Sequence, residues 1–220
     1  VLNSPSATQP RPGEPAPTGN LSAAAAAANA AAASFAALTD SLDYLDATSI
    51  EQVRQAYRFA DEAHLGQLRN SGEPYITHPI AVAAQCAAWK LDAHALMAAL
   101  LHDVLEDQAM RVNYKMLKDK FGKRVARIVR EVTDDRSLPK TERKRLQVVH
   151  APHLSRRARI LKIADKTANL NSILQSPPED WSAARKTEYF AWAAEVVAGC
   201  RGVNPWIEAL FDDRLSHGQF

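Results

Sequence analysis

From about Asp46 onward, apolar residues recur at helical spacing at nearly every step, and no alternating run is long enough to require a sheet. The chain is thereby restricted to an all-α fold, a bundle of helices around one core. Ser49 is placed to cap a helix holding Val53, Tyr57, Ala60 and His64, and the turn residues from Asn70 to Pro74 break it. Thr77-His78-Pro79 opens the next helix, because proline is favoured at the first helical position. Asp92 caps a third through Leu96, Leu100 and Val104. Asn113 to Phe121, stopped by Gly122, reads as a short helix, and Val125, Ile128, Val129 and Val132 mark an amphipathic one after it. Beyond a polar loop at Asp134 to Ser137, Ser155 caps a helix reaching Leu174. Pro177-Pro178 interrupts the pattern, and Ser182 and Pro205 each announce one more helix.

Residues 1–44 read differently. Pro5, Pro10, Pro12, Pro15 and Pro17 precede an alanine-rich tract that offers little apolar area to offset the entropy of ordering. The expectation is a disordered Pro/Ala-rich tail, with at most a transient alanine helix, ahead of one domain over residues 45–215. In 220 residues, 46% hydrophobic and 24% charged side chains supply one good core. Basic and acidic groups nearly balance, 27 against 25, which speaks against a general polyanion binder, so no nucleic-acid partner is expected. Cys86 and Cys200 lie far apart in apolar, helical surroundings and read as packing residues of a reducing compartment. The stretch from Ala23 to Leu38 is too weakly hydrophobic to span a bilayer, and the N-terminal part lacks the pattern of a secretory signal or presequence. A cytoplasmic protein without a membrane partner is the expectation.

The chemistry is concentrated in His102-Asp103-Val104-Leu105-Glu106-Asp107, with His78 upstream and Asp165 downstream. An imidazole and a carboxylate side by side can bind one divalent cation. Glu106 stands at i+4 from His102 and i+3 from Asp103, hence on the same helical face, within reach of a bound water. Asp165, Asn169 and Ser172 share a second face, set among Ile160, Ile163 and Leu170 that should otherwise be buried. Two histidines and two carboxylates form a mixed nitrogen and oxygen set that suits Mn²⁺, Fe²⁺ or Zn²⁺ better than a thiolate-preferring metal. Any one of these residues alone is more simply a cap or a solvated surface group; four in this order are not.

Three segments carry a resemblance: His64 to Pro79 (HLGQLRNSGEPYITHP), Ala99 to Asp107 (ALLHDVLED) and Lys162 to Leu170 (KIADKTANL). Over about residues 50–215 the chain resembles the HD-superfamily hydrolase domain of RelA and SpoT proteins, most of all its stand-alone metazoan members. That resemblance implies an HD-domain helical bundle that hydrolyses the 3′-diphosphate of ppGpp and pppGpp, with Mn²⁺ ahead of Fe²⁺ or Zn²⁺. It places metal ligands at His78, His102, Asp103 and Asp165, catalytic acids at Glu106 and Asp107, and guanosine contacts at Arg69, Ser71, Asn169 and Ser172. Asn70 stands where many relatives carry lysine. The stretches Thr133 to Gln147 and Glu188 to Ala194 resemble the stand-alone members more than bacterial SpoT.

Arg143, Lys144 and Arg145 are candidates to neutralise the diphosphates, since guanidinium groups match phosphate geometry. On a helix at most two of three consecutive residues face one ligand, so Arg143 and Lys144 are carried forward and a solvated surface is an even alternative. Tyr75 reads as packing; His64, His94, His150 and His153 read as caps or surface groups, and of these His64 and His153 lie near enough to the motif segments to be candidates for supporting the ligands from behind. The expected partner is a small-molecule nucleotide. Two other readings stay open: a different nucleotide substrate such as NADPH, and an alarmone-binding module without catalysis.

Overall fold

The computed structural model describes residues 19–218 and 220. Among them there is no strand beyond one isolated antiparallel bridge, Leu68 to Pro74, so the all-α expectation holds. Ten helices follow in order: α1 Gly19–Asp40, α2 Ala47–Ala63, α3 Thr77–Ala88, α4 Ala93–Leu101, α5 Val104–Asp107, α6 Tyr114–Val132, α7 Lys140–His150, α8 Arg156–Gln175, α9 Ala183–Cys200 and α10 Pro205–Ser216.

Side-chain caps set most of the starts. Asp92 accepts from the Ala95 amide, Asn113 from Met116, Ser155 from Ala158 and Ser182 from Arg185, each satisfying an amide that the first turn leaves without a partner. Asp46, not Ser49, caps α2: its carboxylate accepts both the amide and the hydroxyl of Ser49 at 2.8 Å. Helix α4 also ends sooner than its apolar periodicity implies. His102 and Asp103 keep right-handed angles but sit in a turn, and Val104 begins the short α5. Gly122, at φ 84° and ψ 160°, breaks α6 where two helices are expected; a residue with a Cβ is strained there.

Helix α8 organises the interior. Ala158, Leu161, Ala164 and Ala168 face the larger core built from α1 to α6, while Ile160, Ile163, Leu170 and Ile173 face a second core closed by α9 and α10. A helix covered on opposite sides needs no polar face. Its buried set nonetheless includes Lys162, Asp165, Lys166 and Thr167. Helices α4 and α8 run side by side in the same direction: Arg157 pairs with Asp92 where they begin, and Asp165 lies 3.7 Å from His102 where α4 has ended.

The tail expected over residues 1–44 differs from what is seen. Its prolines up to Pro17 lie outside the described residues, but the alanine tract is the helix α1, and Ala31, Leu38 and Leu42 are buried in the larger core. Phe35 stacks on Tyr57 with ring centroids 3.7 Å apart. Alanine costs least to hold in a helix, and the few large apolar groups at its end anchor the tract. No helix among the described residues is long and apolar enough to cross a membrane.

Leu100 is fully buried on α4 at the larger core. Leu100→Ala should lower unfolding free energy by about 2–5 kcal/mol, read as a lower urea midpoint at unchanged slope; an unmoved midpoint would show that α4 is not anchored through this side chain.

Candidate metal centre and active site

His78 stands in the first turn of α3, His102 and Asp103 in the turn after α4, and Asp165 near the middle of α8. One atom each from His78, His102 and Asp165 lies within 4.8 Å of the others. The Asp165 Oδ1 atom is 3.2 Å from His78 Nε2 and 3.7 Å from His102 Nε2. Asp103 falls outside that mutual set, yet its Oδ2 is 3.2 Å from His102 Nε2 and 3.8 Å from His78 Nε2. Both histidines are buried, at 4% and 5% exposure.

These spacings fit a divalent cation, whose nitrogen and oxygen ligands at about 2.0–2.2 Å stand about 3–3.5 Å from one another. The hydrogen bonding of His102 agrees. His102 Nδ1 donates to the Ala99 carbonyl at 2.8 Å, which leaves Nε2, buried and without a hydrogen-bond partner, aimed at the carboxylates. Burial disfavours a charged ring at His102, but Asp103 and Asp165 outweigh it and lift its pKa to about 9. The site asks for positive charge, supplied by a proton or by a metal ion.

A surrounding layer holds the ligands. Burial works against the charge on Asp165, and Lys166 at 3.1 Å together with the two imidazoles overcomes it, keeping this carboxyl well below the usual range. Asn169 donates to Asp165 Oδ1 at 2.8 Å. The Lys166 ammonium in turn lies 4.5 Å from the centre of the Trp192 ring. Tyr75 donates its hydroxyl to Asp103 Oδ2 at 2.7 Å; burial and the neighbouring Asp103 and Asp107 push the phenol far up, so it remains a donor. His64 stacks near Tyr75, with ring centroids 4.8 Å apart, and bonds Gln67, which donates to Asp107 at 3.0 Å.

Glu106 and Asp107 open toward the loop between α6 and α7. The Asp134 amide, Arg136 and Arg143 all donate to Glu106, at 3.3, 3.2 and 3.4 Å, and Arg136 also pairs with Asp107. Burial first, then Asp134 and Asp103, raises the Glu106 pKa above the ordinary carboxyl value. A cavity of about 540 Å³ lies over Glu106, Arg143 and Lys144. A second, of about 290 Å³, is bounded by Arg69, Ser71, Tyr75, His78, Asn169 and Ser172. Trp181 and Tyr189 line both, so the two cavities adjoin across aromatic walls beside the histidines.

Residues 56–194 match the HD domain family. The chain belongs to the RelA/SpoT branch of the HD-domain family. It is 46% identical over 164 residues to the guanosine-3′,5′-bis(diphosphate) 3′-pyrophosphohydrolase MESH1 of Xenopus tropicalis, covering 73% of this chain and 90% of that protein. The Homo sapiens protein of the same name is 47% identical over 161 residues, covering 71% and 89%. Bifunctional (p)ppGpp synthase/hydrolase SpoT of Escherichia coli K12 is 42% identical over 142 residues, 62% of this chain but 20% of SpoT. A solved structure of a metazoan ortholog of SpoT, described as hydrolyzing ppGpp and acting in starvation responses, superposes with a TM-score of 0.72 at 38% identity, covering 79% of this chain and 96% of that one.

The four candidate ligands lie at this centre, Arg69, Ser71, Asn169, Ser172, Glu106, Arg143 and Lys144 line the two cavities, and Arg145 pairs with Glu142 away from both. Arg69 donates to Ser172 at 2.8 Å across the smaller one, and Ser71, exposed there, bonds Glu73 at 3.2 Å. Arg143 faces Glu106, while Lys144 pairs with Glu188 at 3.2 Å and lies over Trp192. His153 is exposed on the short turn at 151–153. Tyr75, read from the sequence as packing, is a hydrogen-bond donor to a candidate ligand. Arg136, Lys166, Gln67 and the Trp181–Tyr189 wall went unnoticed. Lys166 alone left a signal, a lysine beside Asp165 in an otherwise apolar run.

Metal should compete with the proton on His102. As that group is protonated below about 9, divalent-metal affinity of the stripped protein should rise with pH toward that value and fall below it. Calorimetry in buffers of different ionisation enthalpy should register proton release near neutral pH; metal uptake without it would place the ion elsewhere.

Proposed function

We propose that this protein hydrolyses the 3′-diphosphate of ppGpp and pppGpp, releasing pyrophosphate and leaving GDP or GTP. The observation that carries the reading is the convergence of His78, His102 and Asp165, with Asp103 beside them, between one cavity rich in charged groups, Arg143 and Lys144 among them, and one lined mainly by polar and aromatic groups with Arg69 as its one cation. The similarity to MESH1 proteins supports the choice of substrate.

His78, His102, Asp103 and Asp165 are the residues that would hold the metal, Mn²⁺ on this reading. When bound, such an ion lowers the pKa of water and polarises a phosphoryl oxygen. Glu106, with Asp107, orients the attacking water and takes its proton; a carboxyl raised by burial is better matched to that task than an ordinary one. Arg143 and Lys144 neutralise the diphosphate, and Arg136, which spans both acids, is drawn to the phosphates once they arrive. Arg69, Ser71, Asn169 and Ser172 bound the smaller cavity, where Tyr75, Trp181 and Tyr189 offer aromatic surface to a guanine.

Thin-layer separation of products should show ppGpp breakdown that needs Mn²⁺, faster than turnover of NADPH or 5′-nucleotides assayed alongside. Glu106→Gln should retain metal by elemental analysis and lose about 10²-fold or more in turnover, whereas Asp165→Ala should lose the metal. Binding of ppGpp without release of pyrophosphate in Mn²⁺ would mark a sensor instead.

A further inference from the structure

A cavity of about 700 Å³, larger than either of the two at the HD centre, lies elsewhere. It is lined by Lys90, Lys123, Arg124, Arg127, Arg156 and Arg157, and Asp92 is its only acid. Arg157 pairs with that aspartate, Arg127 with Glu131, and Arg156 donates to the Val203 carbonyl at 2.8 Å, while Lys90, Lys123 and Arg124 make no ion pair among the described residues. In a chain of net charge +2, six cations gathered around one concavity form a local excess that self-repulsion disfavours unless an anion occupies it. Lys90 adds to this. It sits at φ 51°, a left-handed conformation that a residue with a Cβ adopts at a cost, and it is the one non-glycine residue to do so among those described.

The floor of the cavity is apolar, made by Leu91, Ile128 and Ile160. Cations on a rim above an apolar floor suit a ligand with an aromatic body and several phosphates. Helical rise separates this place from the metal ligands by about 15 Å, since His102 follows Asp92 by ten positions along α4 and its turn, and Asp165 follows Arg156 by nine along α8. It shares no lining residue with either cavity at the HD centre.

We propose that this basic cavity is a second, non-catalytic site for a nucleoside polyphosphate. A long nucleic acid is the less apt occupant, because the charge is gathered in one concavity and not spread as a stripe.

The test titrates the full-length protein with GTP and with inorganic tripolyphosphate by calorimetry, in wild type, in Asp165→Ala, and in the exposed double variant Lys123→Glu/Arg124→Glu. Both probes should bind wild type and Asp165→Ala with a salt-sensitive affinity, GTP the tighter because of the floor. The charge-reversed variant should weaken both by about tenfold or more for each cation removed, with ppGpp turnover unchanged. Unaltered binding in that variant overturns the proposal, as does a site that takes up only single-stranded RNA with length-dependent affinity. Loss of binding in Asp165→Ala with retention in the double variant would assign the anion to the HD centre and also overturn it. Because the readout is binding, failure here leaves the hydrolase reading untouched, and failure of turnover leaves this one untouched.

Discussion

A carboxylate buried in the middle of a doubly covered helix is the constraint on which this structure turns. Asp165 lies on α8 between two apolar cores, where an uncompensated charge costs several kcal/mol. Its compensation is local and directional: Lys166 on one oxygen, Asn169 and the two imidazoles toward the other. Each partner has its own anchor, Lys166 against Trp192 and His102 on the Ala99 carbonyl. Loosening any of them would leave a buried charge less fully compensated. The geometry of the centre is therefore held by the same interactions that make its burial tolerable.

The same logic explains the asymmetry of the two cavities. Toward α3 and the hairpin-like turn at 64–76, the neighbours of the centre are neutral donors and rings, with Arg69 tied to Ser172. Toward α7 the acids Glu106 and Asp107 meet Arg136 and Arg143, so opposite charges already neutralise each other before a ligand enters. A phosphate entering that side competes for cations, and its arrival changes the surroundings of Glu106 most. A base entering the other side meets no comparable charge. On the proposed reading, this difference would turn the phosphates of a nucleotide toward α7 and its base toward α3.

How much could be read from the residues depended on the range of the cause. Caps at Asp92, Asn113, Ser155 and Ser182 act within one turn and were legible, as was the break at Gly122. The adjacent His102-Asp103 pair stood out by residue type, whereas His78 and Asp165, far from it in the chain, were marked as ligands by the family resemblance. Asp46 displaced Ser49 as the cap of α2 because both are good acceptors and only the backbone decides between them. The alanine tract was misread for a different reason: the groups that hold α1, such as Leu38 against the larger core and Phe35 on Tyr57, are few and act through tertiary packing that no local pattern encodes. Arg136 belongs to a loop of ordinary composition, and only the fold brings it 29 and 30 positions back to Asp107 and Glu106.

Near neutrality of the whole chain conceals how unevenly its charge is placed. Acids crowd the end of α4 and α5, where two imidazoles and buried lysines answer them, while cations crowd the opposite end of the same α4–α8 pair, where only Asp92 and Glu131 do. Because the two helices run in parallel, both of their N-termini, the ends that carry partial positive charge, point toward the basic cavity. Their later segments carry the carboxylate and imidazole ligands away from it. Side-chain charge and backbone dipole thus add with the same sign at the basic end, so an anion there is favoured by both, and the segregation that a net charge of +2 hides is a property of the helix pair as a unit.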